Sequence, residues 1–247
     1  MPANPTQAAR RGLALAALAL LLSVAEGAGA GNFSVSPVRA ELSIQQRVAA
    51  LRVHNGGSEP VAIQAEAMAW QQRDNEDVLT PSREVLVTPP IFTIPPGETQ
   101  TLRIGLRRSP DPNQQLSYRL LLHELPPPLP EGFQGLRMAM RMSLPVFVTP
   151  AAGAASPELA WRASRTASGE LRLSARNHGT GHAQITTLTL GRDNGQQIGQ
   201  QGNHYLLPGS ERHWTVPVGA DPLAPGEPLT LEAMVNGKEL RTRLRPD

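Results

Sequence analysis

His178 and His182 stand four residues apart, a spacing that on a helix would bring two imidazoles to one face, where they could hold a metal ion. Gly179 and Gly181 lie between them and oppose a helix, because glycine loses the most backbone freedom on ordering. The segment reads as a turn between strands, and no metal is expected there. The chain contains no Gly-x-Ser-x-Gly elbow, phosphate-binding glycine loop or His-Glu-x-x-His motif, and its acids form no recognisable catalytic pair. Neither catalysis nor a cofactor is expected.

Residues 136–144 carry a pattern suited to binding. Leu136, Met138, Met140, Met142 and Leu144 alternate with Arg137, Ala139, Arg141 and Ser143, so a strand there presents one unbroken apolar row. Such a row faces either the protein's own core or a partner, and its methionines suit adaptable packing. Upstream, Pro126, Pro127, Pro128 and Pro130 cannot donate to a β-ladder, which blunts unwanted pairing beside the row.

The elements that position these residues begin after a removable leader. Arg10 and Arg11 precede an apolar run, Leu13 to Leu22, and Ala28-Gly29-Ala30 supplies small residues for cleavage after Ala30. That is the form of a secretory signal peptide, too short to span a bilayer. No later segment is apolar enough to cross a membrane, so an exported protein without membrane insertion is expected. Cysteine is absent, and stability must come from burial in domains of adequate size. The formal charge is only +2, Lys238 is the sole lysine, and no aromatic residues interleave with the scattered arginines. No nucleic-acid partner is implied.

From residue 32 onward, short runs rich in Val, Ile, Leu and Thr alternate with Gly, Pro and Asn clusters. The pattern indicates strands throughout, an all-β chain of two immunoglobulin-like sandwiches in tandem. Leu51 to His54 and Val61 to Ala67 flank Asn55-Gly56-Gly57 and read as a hairpin-like pair. Further strands are expected at Glu84–Val87, Thr99–Leu106, Ser117–Leu125 and Leu136–Val148. The segment Ala151 to Pro157 has no large side chain to bury and marks the boundary between domains 31–150 and 151–247. The second series comprises Glu170–Ala175, Ala183–Leu190, Ser210–Val218, Leu229–Val235 and Glu239–Leu244, the last two joined by a type I′ turn at Asn236-Gly237. Leu171-x-Leu173-x-x-x-Asn177-x-Gly179 loosely echoes Leu51-x-Val53-x-Asn55-Gly56.

Several separated motifs agree in order with one family. They are Ser34-Val35-Ser36-Pro37-Val38-Arg39-Ala40-Glu41-Leu42, Leu51-x-Val53-x-Asn55, Trp70, the run from Val87 through Pro89-Pro90, Phe92, Ile94 and Pro96-Gly97 to Ile104, Glu124-Leu125-Pro126-Pro127, and Ser143-Leu144-Pro145-Val146-Phe147-Val148-x-Pro150. Residues 33–150 thereby resemble the amino-terminal domain of the PapD-like periplasmic pilus-assembly chaperones. The carboxy-terminal part matches only in its strand pattern.

The resemblance implies a periplasmic protein that binds pilin subunits and passes them to an outer-membrane usher. In that family an exposed edge strand lends its apolar row to a subunit lacking its final strand, which assigns Leu136, Met138, Met140 and Met142 to the subunit. It also implies that Arg39 anchors the subunit's terminal carboxylate, as a guanidinium can through paired hydrogen bonds. The family's usual second anchor is a lysine where this chain has Pro145; Arg141, on the same face, is a candidate substitute. The Ser-Leu-Pro-Val-Phe-Val pattern resembles the archaic, Csu-type branch. A secreted immunoglobulin-like adhesion or sugar-binding module is the alternative, since the fold alone does not separate the two.

Overall fold

The computed structural model describes residues 33–246, apart from 129–131, 133–134, 137, 167–168, 193–194, 217–222 and 225. The expected signal peptide and Arg137 lie outside the described residues. The strands are β1 (Phe33–Ser36), β2 (Ala40–Leu42), β3 (Val48–Asn55), β4 (Val61–Arg73), β5 (Glu76–Pro81), β6 (Val85–Thr88), β7 (Ile91–Ile94), β8 (Thr99–Leu106), β9 (Leu116–Glu124) and β10 (Arg141–Val148). They continue as β11 (Leu159–Arg165), β12 (Leu171–Asn177), β13 (Ala183–Arg192), β14 (Gln197–Gln201), β15 (His204–Leu206), β16 (Glu211–Val216), β17 (Leu229–Val235) and β18 (Lys238–Leu244).

The first ten strands form two facing sheets, ordered β1-β3-β8-β6 and β2-β10-β9-β4-β5, with β7 also on β4. Alternation along each strand decides which side chains meet. Leu51 and Val53 of β3 and Leu102 and Ile104 of β8 share one core with Ile63, Leu120, Leu122, Val146 and Val148 of the opposite sheet. The remaining strands build sheets ordered β11-β12-β16 and β14-β13-β17-β18, with β15 on β13, around a second core that includes Leu173, Ile185, Trp214 and Leu231. Two sheets face to face around each core make the immunoglobulin-like tandem expected from the sequence. The hairpin at Asn236-Gly237 also forms, both residues taking positive φ, 49° and 74°, as a type I′ turn requires.

The expected pairing of β3 with β4 does not occur. These strands belong to opposing sheets, and 56–60 carries the chain across the sandwich edge. The fully buried Asn55 shapes that corner. Its Nδ2 donates to the carbonyls of Glu59 (2.7 Å) and Ile94 (3.0 Å), and its Oδ1 accepts the Gly57 N–H at 2.9 Å. Asn177 repeats the device in the second sandwich, donating to Gly181 (2.8 Å) and Leu206 (3.1 Å) and accepting the Gly179 N–H at 3.0 Å. The loose sequence echo is thus a repeated corner that meets its buried amides' hydrogen-bonding needs.

Residues 151–158 join the sandwiches and are pinned at both ends. Ala151 and Ala152 donate to the carbonyls of Asp111 and Pro112 at 2.8 and 3.0 Å, while Thr180 and Gly181 both donate to Ser156 at 3.0 Å. A Cβ at Gly179 would lie 2.3 Å from the Ser156 carbonyl oxygen, and one at Gly181 2.8 Å from the Ala155 carbonyl carbon. Close approach of this linker, rather than ligand binding, accounts for the glycines between His178 and His182.

Candidate functional site

Strand β10 is the element on which most of the expected site residues fall. It pairs antiparallel with β9 along its whole length, Arg141 opposite His123 through Val148 opposite Leu116. On its other side β2 pairs with it in parallel only at Val146–Val148. Among the described residues, the Arg141–Pro145 half therefore has an edge with no strand beside it, the arrangement that invites an additional strand.

The strand begins at Arg141 rather than at the expected Leu136. Beyond Glu124, β9 runs into Pro126, Pro127 and Pro128, which have no N–H to continue the ladder. The last contacts are made around Met140: its carbonyl accepts the Glu124 N–H, and its own N–H donates to Glu124 Oε2, both at 2.9 Å. The apolar row is divided accordingly. Met140 and Met142 pack against the first core and Leu144 lies inside it, whereas Leu136 and Met138 are 87% and 68% exposed.

Pairing of Val146 with Ala40 sets Arg39 beside Pro145 at the preceding step of the two strands. Ala40 and Leu42 point into the core, so by alternation Arg39 and Glu41 occupy the outer face. On the other side of Pro145, the ladder partner is Arg119. Arg39, the residue just before β2, thus continues a row with Pro145 of β10 and Arg119 of β9. Arg141 is four residues from Pro145, about 13 Å along the strand, and its ladder partner is His123; the structure does not bring it to Arg39.

The guanidinium of Arg119 lies over the indole of Trp70, 3.7 Å from its centroid, and 5.2 Å from that of Tyr205. Burial lowers its pKa, an effect opposed by Asp77 and Tyr205. It remains a cation held by rings. Arg39 instead pairs with Glu41, Nη2 to Oε1, at 2.9 Å.

Beside this row the sandwiches meet through Trp70, Phe147 and Leu207, with Leu79 and Tyr205 packed around them. His182 stacks on Phe147 at 3.7 Å between centroids. Gln115 Oε1 accepts the His182 backbone N–H at 3.0 Å and lies 2.7 Å from Nδ1; an amide oxygen can only accept, so Nδ1 carries the imidazole proton. Burial, reinforced by Arg39, lowers the His182 pKa to about 4. Gln72 bridges the sandwiches twice, donating to the Tyr205 carbonyl and accepting the Leu207 N–H, each at 2.9 Å. Arg212 pairs with Asp77 at 3.3 Å, and Asn75 Oδ1 accepts the His213 N–H at 2.8 Å. Among the described residues, no group of three or more His, Cys, Asp or Glu could hold a metal ion.

Two immunoglobulin-like sandwiches in tandem, with a strand whose Arg141–Pro145 half has one edge free among the described residues and a basic row beside the junction, define the class. Residues 32–154 match the family described as the pili and flagellar-assembly chaperone, PapD amino-terminal domain, and the chain belongs to the PapD-like family of fimbrial chaperones. No curated protein matches the chain in sequence. Among solved structures, it is similar to a chain of the CsuC–CsuE chaperone–tip adhesion subunit pre-assembly complex from the archaic chaperone-usher Csu pili of Acinetobacter baumannii, at 19% identity and a TM-score of 0.66 over 87% of this chain and 99% of that one. The E. coli chaperone DraB is similar at 18% identity and a TM-score of 0.61, covering 87% and 98%. A chain of the Salmonella enterica SafA pilin–SafB chaperone complex is similar at 17% identity and 0.62, again covering 87% and 98%. At these identities the likeness is one of fold.

Proposed function

We propose that this protein is a periplasmic chaperone of the archaic, Csu-type branch that stabilises pilus subunits by donor-strand complementation and delivers them to an outer-membrane usher. Residues 1–30 are its export signal, 31–150 the subunit-binding domain and 151–247 the second domain. The observation that carries this reading is the free edge of β10 over Arg141–Pro145, continuous with the exposed Leu136 and Met138. A subunit strand laid along that edge gains backbone hydrogen bonds whatever its sequence, and apolar contacts beside Leu136 and Met138 give it selectivity. Met140 and Met142 support the strand from the core side.

The row Arg39–Pro145–Arg119 sits at the junction end of the edge, where the terminal carboxylate of such a strand is held between the two guanidiniums. Arg141 then flanks the docked strand rather than its terminus. The resemblance to the Csu assembly complex supports the same reading. Co-expression with the pilin encoded beside it tests it: the subunit should be recovered from the periplasm as a one-to-one complex and be degraded when the chaperone is omitted. Equal recovery of soluble pilin without the chaperone overturns the reading.

A further inference from the structure

We infer that Glu41 is a competitor built into the carboxylate site, setting which carboxylates Arg39 accepts. The inference rests on the reading of Arg39 and Arg119 as a carboxylate anchor. Glu41 is two residues from Arg39 on the outer face of β2, beside Phe147, and its carboxylate already holds the Arg39 guanidinium at 2.9 Å. Both side chains remain substantially exposed, 45% and 60%, so the pair is weak enough to open. An incoming carboxylate must displace Glu41 or share the guanidinium with it against like-charge repulsion.

Arg119 differs. Among the described residues it makes no direct ion pair; its guanidinium contacts Trp70 and Tyr205 and feels the Asp77 carboxylate from farther away. The anchor therefore has a carboxylate paired directly at its Arg39 end and none at its Arg119 end. Adjacent strands are about 4.8 Å apart, which sets the Arg39 and Arg119 backbones about 10 Å apart, with the uncharged Pro145 between them. Two arginine side chains can converge on one carboxylate over that gap. A carboxylate that reaches Arg39 alone replaces one exposed ion pair by another and gains little. One that reaches both guanidiniums adds the Arg119 contact, and the end of a strand lying along β10 is placed to do so. Glu41 thus lowers affinity at Arg39 for every carboxylate, and leaves a net gain only for a terminus that bridges the row.

The test uses the mature chaperone and a probe peptide, acetyl-Thr-Val-Thr-Val-Thr-Val-Tyr-Val, with a free carboxylate or a terminal amide, titrated while following the side-chain Nε–H signals of Arg39 and Arg119 by NMR. Glu41→Gln should tighten the free acid about two- to fivefold and leave the amide unchanged. In an Arg39→Gln background the same substitution should have no effect. Equal tightening of acid and amide, or tightening that persists without Arg39, would show a general charge effect and overturn the inference. If acid is preferred over amide through Arg39 but Glu41→Gln changes nothing, Glu41 is excluded while the anchor stands. If Arg39→Gln and Arg119→Gln both leave the acid-over-amide preference intact, the anchor reading itself fails and the inference with it.

Discussion

The imidazole of His182 lies flat on the ring of Phe147, 3.7 Å between centroids and 3° from parallel. Phe147 belongs to the edge strand β10 and His182 to the loop between β12 and β13 of the second sandwich, so this stack ties the edge strand to the second domain. Both groups are buried, and burial of the imidazole, reinforced by the positive charge of Arg39 nearby, favours its neutral form.

That pairing makes stability depend on pH. The His182 pKa falls from 6.5 to about 4 on folding, so between those values the unfolded chain binds the proton more tightly. The contribution is complete above pH 6.5, is lost as pH falls towards 4, and changes no further below it. Its upper bound is about 3 kcal/mol. Urea unfolding at pH 7, 6, 5 and 4 should show this slope, and His182→Gln should flatten it. An unchanged slope in the variant would assign the titration to another group.

The two corner asparagines should have similar weight. Asn55→Ala leaves the Gly57 N–H and the Glu59 and Ile94 carbonyls without their partner, and Asn177→Ala does the same at Gly179, Gly181 and Leu206. Each should cost about 2–4 kcal/mol, read as a lower urea midpoint with an unchanged slope. A loss below about 0.5 kcal/mol at either position would mean that water replaces the amide there.

The sequence showed the asparagine echo but not its meaning. Period-two alternation identified β3 and β4 as strands, yet whether neighbours in sequence pair or cross to opposing sheets depends on where the buried amide finds its carbonyls. Those belong to Ile94 and Leu206, 39 and 29 residues away. The same limit applies at the site. Arg39 was legible because its flanking motif carries the resemblance. Arg119 was not, because only the register across the loop between β9 and β10 sets it opposite Pro145. Alternation alone likewise extended the apolar row back to Leu136, whereas the prolines after Glu124 end the ladder near Met140.

At the basic row, Arg39→Ala should leave the fold intact, since its side chain is half exposed and its ion pair is with the exposed Glu41, but reduce pilin recovery about tenfold or more through loss of a charged contact. Arg119→Ala should reduce recovery similarly. It should also change the Trp70 fluorescence, because the guanidinium stacked on that indole is removed. Circular dichroism and pull-down should separate for Arg39. Unchanged pilin recovery with both variants would remove the row from the binding site.

The divided apolar row gives the sharpest contrast. Leu136→Asp with Met138→Asp places charges on side chains that are 87% and 68% exposed, so the free chaperone should lose less than about 1 kcal/mol while protection of pilin from proteolysis is abolished. Met140→Asp with Met142→Asp introduces charges against the first core, where unpaired carboxylates are costly, and should destabilise the free protein by several kcal/mol, about 3 or more. Melting temperature and expression of the chaperone alone distinguish the two pairs, and the pilin protection assay then isolates binding from folding. If the Leu136 and Met138 double variant is stable and still protects pilin, the exposed end of the row does not hold the subunit. If it unfolds, those side chains serve the chaperone's own core, and the division of labour along the strand is wrong.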